Sequence, residues 1–176
     1  MGQSARRGEN MSCENVEGIS FRMRRDEAEA LLCLMDVRQL RGMELIARQP
    51  SPQTVSSLTE AGYILPGPEK VYVDRVIALT LTQAARCRQM IHLASQLGEC
   101  ALYQGEKMCV LLRKANGDWL EFEPLRNPSQ GAQACLRALR GACGIHARYW
   151  RENVVRERTG GLAELKALLA EFERNG

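Results

Sequence analysis

The sequence predicts an α+β protein, and three observations carry that expectation. Residues 26–97 read as helical segments interrupted by one small hairpin. Residues 98–125 read as consecutive strands separated by turn signals, and helical periodicity returns after residue 127. Helices that flank a run of strands, and do not alternate with them, imply an antiparallel sheet with helices segregated from it. Hydrophobic residues make up 45% and charged residues 26% of 176 residues, which suits a packed core. Aromatics are only 5%, so the core must come mainly from Leu, Val, Ala and Met.

The first stretch, "MGQSARRGENMSCENVEGIS", is polar and aperiodic and reads as a flexible leader over residues 1–20, with Met11 and Met23 both open as natural starts. It lacks the apolar segment of a signal peptide. No apolar run approaches the ~20 residues of a membrane span. A cytoplasmic protein is therefore expected.

A first unit spans 21–97. In "SFRMRRDEAEALLCLMDV", Asp26 followed by Glu29 has the form of a capping box, and Ala28, Leu31, Leu32 and Met35 make an inward stripe. "LRGMELIARQ" reads as a second, short helix carrying Leu40, Met43, Leu45 and Ile46. "SPQTVSSLTEAG" places Ser51 as N-cap, Pro52 at the first helical position and Gly62 as the stop, with Val55 and Leu58 inward. "YIL" and "KVYV" flank the turn "PGPE" and form a hairpin. Asp74 then caps a long helix over 75–97, from Val76 and Ile77 to Ile91 and Leu97. Its apolar residues exceed one face, so it reads as a bridge packed on two sides.

A second unit, 98–145, is a three-stranded meander plus a helix. "CALY", "KMCVLLR" and "WLEFEPL" are the strands, and Asn116-Gly117 suits a tight turn. Leu120 and Phe122 alternate with Trp119, Glu121 and Glu123, giving one buried and one wet face. Asn127-Pro128-Ser129 opens the helix. The last unit, 146–176, is a basic segment whose "IHARYWRENVVRERTGG" fits either a helix or an extended chain, followed by the amphipathic helix "LAELKALLAEFERNG".

No catalytic constellation stands out. Nucleophile-elbow, zinc-protease and phosphate-loop motifs are missing. "GEKMC" lacks the first glycine and the Ser/Thr of a phosphate loop and reads as a hairpin turn. His92 falls among apolar residues of the long helix, and His146 lies in an Arg-rich stretch without an evident carboxylate. Asp26, Glu27 and Glu29 suit a helix start better than an acid/base pair. The seven cysteines show no C-x-x-C pair and read as small buried thiols in a reducing compartment. No metal, no cofactor and no enzymatic activity are expected.

Within 26–73, "TVSSLTEAGYI" resembles the helix-to-strand junction of winged-helix regulators of the MarR and PadR type. That resemblance implies DNA binding by a dimer, with Ser51, Gln53, Thr54, Ser56 and Ser57 on the recognition helix. Arg148 and Arg151, near Tyr149 and Trp150, would add backbone or stacking contacts. Three features oppose it. The helix has no Lys or Arg, the wing "PGPE" carries an acid, and the net charge is only +3. Affinity for DNA needs cations against phosphates.

The capped helix, "LTEAGYI", the hairpin and the "ALYQGEKMCVLLRKANGDWLEFEPL" meander together resemble the EspG-like accessory chaperones of type VII secretion. That resemblance implies a mixed scaffold that binds a partner with amphipathic helices and keeps it soluble. The partner surface would then include Trp119, Glu121 and Glu123 on the wet sheet face, and Leu165, Leu169 and Phe172 on the last helix. For both groups two readings stay open. Trp119 is either an exposed anchor or covered by the last helix, and that helix closes either its own core or a partner. The function expected is a non-enzymatic adaptor or secretion-type chaperone, with a winged-helix DNA-binding regulator as the alternative.

Overall fold

The computed structural model describes residues 18–152 and 154–175. Strand β1 (Phe21–Arg24) runs directly into helix α1 (Arg25–Leu34). The small hairpin β2 (Gln39–Leu40) and β3 (Leu45–Ile46) follows, then α2 (Pro52–Glu60), the hairpin β4 (Ile64–Pro66) and β5 (Val71–Val73), and α3 (Arg75–Ala85). A four-strand meander is next: β6 (Gln89–Ser95), β7 (Gly98–Gln104), β8 (Cys109–Lys114) and β9 (Trp119–Leu125). The chain ends with α4 (Pro128–Ala138), the hairpin β10 (Ile145–Arg151) and β11 (Val154–Gly160), and α5 (Leu162–Arg174).

Seven strands form one antiparallel sheet in the order β1-β9-β8-β7-β6-β10-β11. Its register explains its two faces. One row crosses all seven strands as Phe21, Phe122, Leu112, Ala101, His92, Arg148 and Glu157. The row is apolar over β1, β9, β8 and β7, and polar from β6 outward. On the apolar part sit α1, α2 and α3, with a core that includes Met23, Leu31, Leu58, Ile77, Leu81, Tyr103 and Phe122. Phe21 stacks on Phe122 at 5.4 Å with rings 10° apart. Such a pair contributes about 1 kcal/mol beyond its buried area.

The opposite face carries a second core. Ile91, Leu93, Leu102, Leu111, Ala147 and Tyr149 meet α4 and α5 there. The two helical layers are offset along the strand order. α1 reaches β1 and β9 and α3 reaches β7 and β8 on the first face, whereas α4 covers β7 to β9 and α5 covers β10 and β11 on the second. Each end of the sheet is therefore bare on one face.

Several expected elements are borne out. Ser51 Oγ accepts from Thr54 N–H at 3.1 Å, Asp74 Oδ1 from Val76 and Ile77, and Asn127 Oδ1 from Gln130. The hairpin around "PGPE", the three meander strands and the last helix stand where they were expected. Other elements differ. The long helix 75–97 stops at Ala85, and Gln89–Ser95 is β6. "QMIHLA" is a mostly apolar run, buried on both faces as far as Leu93, which periodicity alone cannot tell from a buried helix. The second helix over 40–49 is the β2–β3 hairpin, so a single helix separates α1 from β4–β5 and three in succession do not occur. The basic segment after Gly144 is the hairpin β10–β11. The N-cap of α1 is Arg24, two residues before Asp26, and Glu27 accepts the Arg24 N–H at 2.7 Å. Glu29 lies inside the helix, 3.1 Å from both Arg25 Nε and Arg48 Nε. The leader falls largely on residues 1–17, outside the described residues.

Candidate functional site

The first bare wing is the face of β1 turned away from α1, together with the Trp119 end of β9 beside it; α4 reaches the rest of β9 on that face. Alternation on β9 sends Leu120 and Phe122 into the core and Trp119, Glu121 and Glu123 the other way. Arg22 pairs in register with Glu121, and Arg24 with Trp119. Arg113 on β8 lies 3.5 Å from Glu121 and 3.1 Å from Glu123, and Arg22 lies 3.8 Å from Glu121. These ion pairs form a fixed charge row on the wet face. Trp119, at its end, keeps 46% of its surface exposed and is not covered by α5. An indole held on a strand beside paired charges is an apolar surface that would cost little entropy to immobilise.

The residues expected on the last helix lie elsewhere. Leu165, Leu169 and Phe172 are 2%, 1% and 0% exposed and close the second core against Tyr149 and the sheet. They are not available to a partner in this structure. The amphipathic stripe was legible, but a stripe does not say whose core it closes.

The residues of the DNA-binding alternative do not form one basic face. On α2, Thr54 is buried, and Ser51 is engaged as the cap. Ser57 Oγ donates to Glu27, and Ser56 Oγ donates to Glu60 at 3.1 Å. Gln53 is exposed. Arg148 and Arg151 stand on β10, next to the opposite sheet edge from β1. Arg148 Nε lies 2.8 Å from Glu157.

The second bare wing, on β10 and β11 and bordered by the buried β6, was not foreseen as a sheet face, although Arg148 and Trp150 were singled out for another role. Its face turned toward the side of α1 and α3 carries His146, Arg148 and Trp150, paired in register with Thr159, Glu157 and Val155. His92 Nε2 lies 2.8 Å from Glu99 Oε1 at the inner margin, while its buried Nδ1 has no partner among the described residues. Trp150 is half-buried against the first core, and Val155 is 52% exposed. The available signal was the alternation in "IHARYWR", with Ile145, Ala147 and Tyr149 on one side. Its Arg content made a helix look equally fitting.

The buried thiols and Tyr103 are held in their protonated forms. Burial pushes the Cys109 thiol from 9.0 up to about 12, and burial raises Cys87 as well. A hydrogen bond involving Cys100, followed by burial, holds Cys135 well above the usual thiol range. Tyr103 is raised by burial and donates to the Arg41 carbonyl at 2.6 Å. Thiols shifted in this direction are poor nucleophiles. Among the described residues no group of three or more His, Cys, Asp or Glu could hold a metal ion. No helix among them is long and apolar enough to cross a membrane.

No protein-family model and no curated protein matches the chain. Among solved structures, its fold is similar to that of the Mycobacterium tuberculosis type VII secretion system chaperone EspG5, solved in complex with the PE25-PPE41 dimer. The TM-score is 0.52 at 11% sequence identity, covering 82% of this chain and 84% of the other. The resemblance to EspG-like chaperones is thus present at the level of fold.

Proposed function

We propose that this protein is a non-enzymatic adaptor or secretion-type chaperone of the cytoplasm that binds a helical protein partner without a cofactor. The observation that carries this reading is the bare wing of β1 and the adjoining end of β9, where Trp119 is exposed at the end of an ordered charge row. A large apolar side chain held rigidly at a polar surface is the kind of anchor protein interfaces use. Two further features support it. The fold is similar to that of a secretion chaperone solved with a bound protein dimer. The buried thiols suit a binding role better than a catalytic one.

The test is affinity purification from the native cell, with and without nuclease, of the intact chain and of Trp119→Ala. A stoichiometric protein that resists nuclease and is lost with Trp119→Ala is expected. Material that vanishes with nuclease would sink the reading in favour of nucleic-acid binding.

A further inference from the structure

We propose that the second bare wing, together with an arginine wall beside it, seats an acidic amphipathic helix of the protein partner. This rests on the reading of the chain as a protein-binding module and specifies the chemistry of what it binds.

The open part of the floor is apolar in one row, at Trp150 and Val155, beside the polar row of Arg148 and Glu157. Tyr103 pairs with Met90, Met90 with Trp150, and Trp150 with Val155. The row starts in the first core and runs out into the open, so its last two members lack the helical cover that the first two have. A wall rises where the β2–β3 turn crosses the sheet. A Cβ placed on Gly42 would lie 3.0 Å from Met90 Sδ, which puts the neighbouring Arg41 at the inner margin of the bare strands. A cleft of about 440 Å³ opens there, with Tyr103 and Cys87 in its lining and Arg38, Arg41 and Arg86 around it. Asp36 is the one carboxylate in that lining. None of the three arginines has a carboxylate at ion-pair distance among the described residues, whereas Arg25, Arg48, Arg113, Arg148 and Arg156 all do.

A cation near a helix C-terminus offsets the helix macrodipole. That accounts for Arg38 after α1 and Arg86 after α3, but not for Arg41, which stands on the β2–β3 turn. Arg41 and Cys87 both line the cleft, so the charge of Arg41 lies close to it. An apolar floor beside a cationic wall favours an occupant with one apolar stripe and acids along its flank. An amphipathic helix offers both at the spacing of one turn, and a groove-bound helix is read through anchors at i, i+3, i+4 and i+7. DNA offers no apolar stripe, and a basic helix would meet the wall unfavourably.

The test places p-benzoylphenylalanine at Val155 in one variant of the intact chain and at Trp119 in another, each photo-crosslinked in the native cell. The crosslinked segments are then sequenced by mass spectrometry. The expected result is that position 155 captures an amphipathic segment with excess Asp and Glu. Combining it with R38E, R41E and R86E should lower that yield about tenfold without a large fall in thermal midpoint. If the triple reversal does lower the midpoint, R38Q, R41Q and R86Q carry the same comparison, with a severalfold loss expected. Capture at position 119 with none at 155 overturns this inference and leaves the protein-binding reading standing. A neutral or basic segment at 155, a second copy of this chain, or indifference to the arginine changes also overturns it. No protein captured at either position overturns both.

Discussion

Gln89 on β6 caps helix α5 from the sheet: its Nε2 donates to the main-chain carbonyl of Phe172 at 2.7 Å. That carbonyl lies in the last turn, where no helical N–H among the described residues satisfies it. The same amide donates to Gln104 Oε1 and accepts from the Tyr149 hydroxyl, all in a buried setting. Gln89→Leu would orphan the carbonyl and the Gln104 oxygen and leave the hydroxyl only the 3.4 Å contact with Asn175 Nδ2. Each unsatisfied buried group costs about 1–3 kcal/mol, so a loss of about 3 kcal/mol is expected in denaturant unfolding. Amide exchange should rise first in α5.

Thiol chemistry gives a pH prediction with a definite sign. Folded Cys109 loses its proton only near 12, whereas the unfolded thiol does so near 9.0. Between those values the folded state binds more protons, so stability falls as pH rises. The contribution is complete below pH 9.0 and fades toward pH 12. Urea titrations from pH 7 to pH 10 should show the decline beginning near the unfolded value, and Cys109→Ala should lessen it, the raised Cys87 and Cys135 carrying the remainder. At pH 8 a thiol reagent should label exposed Cys143 at once, and Cys100, Cys109 and Cys135 only after unfolding.

Glu152 has φ of +54° directly after Arg151, where β10 leaves for its hairpin partner β11. A β-branch-free but full side chain in this left-handed region costs about 1 kcal/mol. Tight hairpin turns favour Gly or Asn there. Glu152→Gly should therefore raise the thermal midpoint slightly, by about 0.5–1 kcal/mol of stability.

Gly131 lets α4 lie close on β7: an added Cβ would stand 2.6 Å from Leu102 Cδ1, whose side chain is fully buried. Gly131→Ala gains about 1 kcal/mol of helix propensity. Overpacking of this kind costs about 1–3 kcal/mol. Net destabilisation of about 1 kcal/mol is expected, the opposite of an exposed helical Gly→Ala change.

Trp119→Ala separates anchor from core. With 46% of the residue exposed, the change should cost less than about 1.5 kcal/mol in unfolding, well short of the 3–5 kcal/mol of a buried Trp. Loss of partner capture at near-wild-type stability is the expected pair of results. A variant that fails to fold would place Trp119 in the core and remove it from the site.

What the sequence determined by itself was mostly local. Ser51, Asp74 and Asn127 announce their helices because an N-cap is satisfied within three residues of itself. "PGPE" and Asn116-Gly117 announce turns for the same reason, and Leu120 and Phe122 give the buried face of β9 by alternation. What the tertiary structure decided was non-local. "QMIHLA" satisfies both periods, and only its pairing with β7 and β10 makes it a strand. β1 joins the sheet beside β9 with three helices between them, so no short-range pattern marks it. The offset of the two helical layers leaves Trp119 bare at one end and Trp150 half-bare near the other, while it buries Leu165, Leu169 and Phe172. An apolar stripe states that a face must be covered. Which surface covers it depends on how long each helix is and where its connection lets it lie, and those are settled only when the whole sheet has formed.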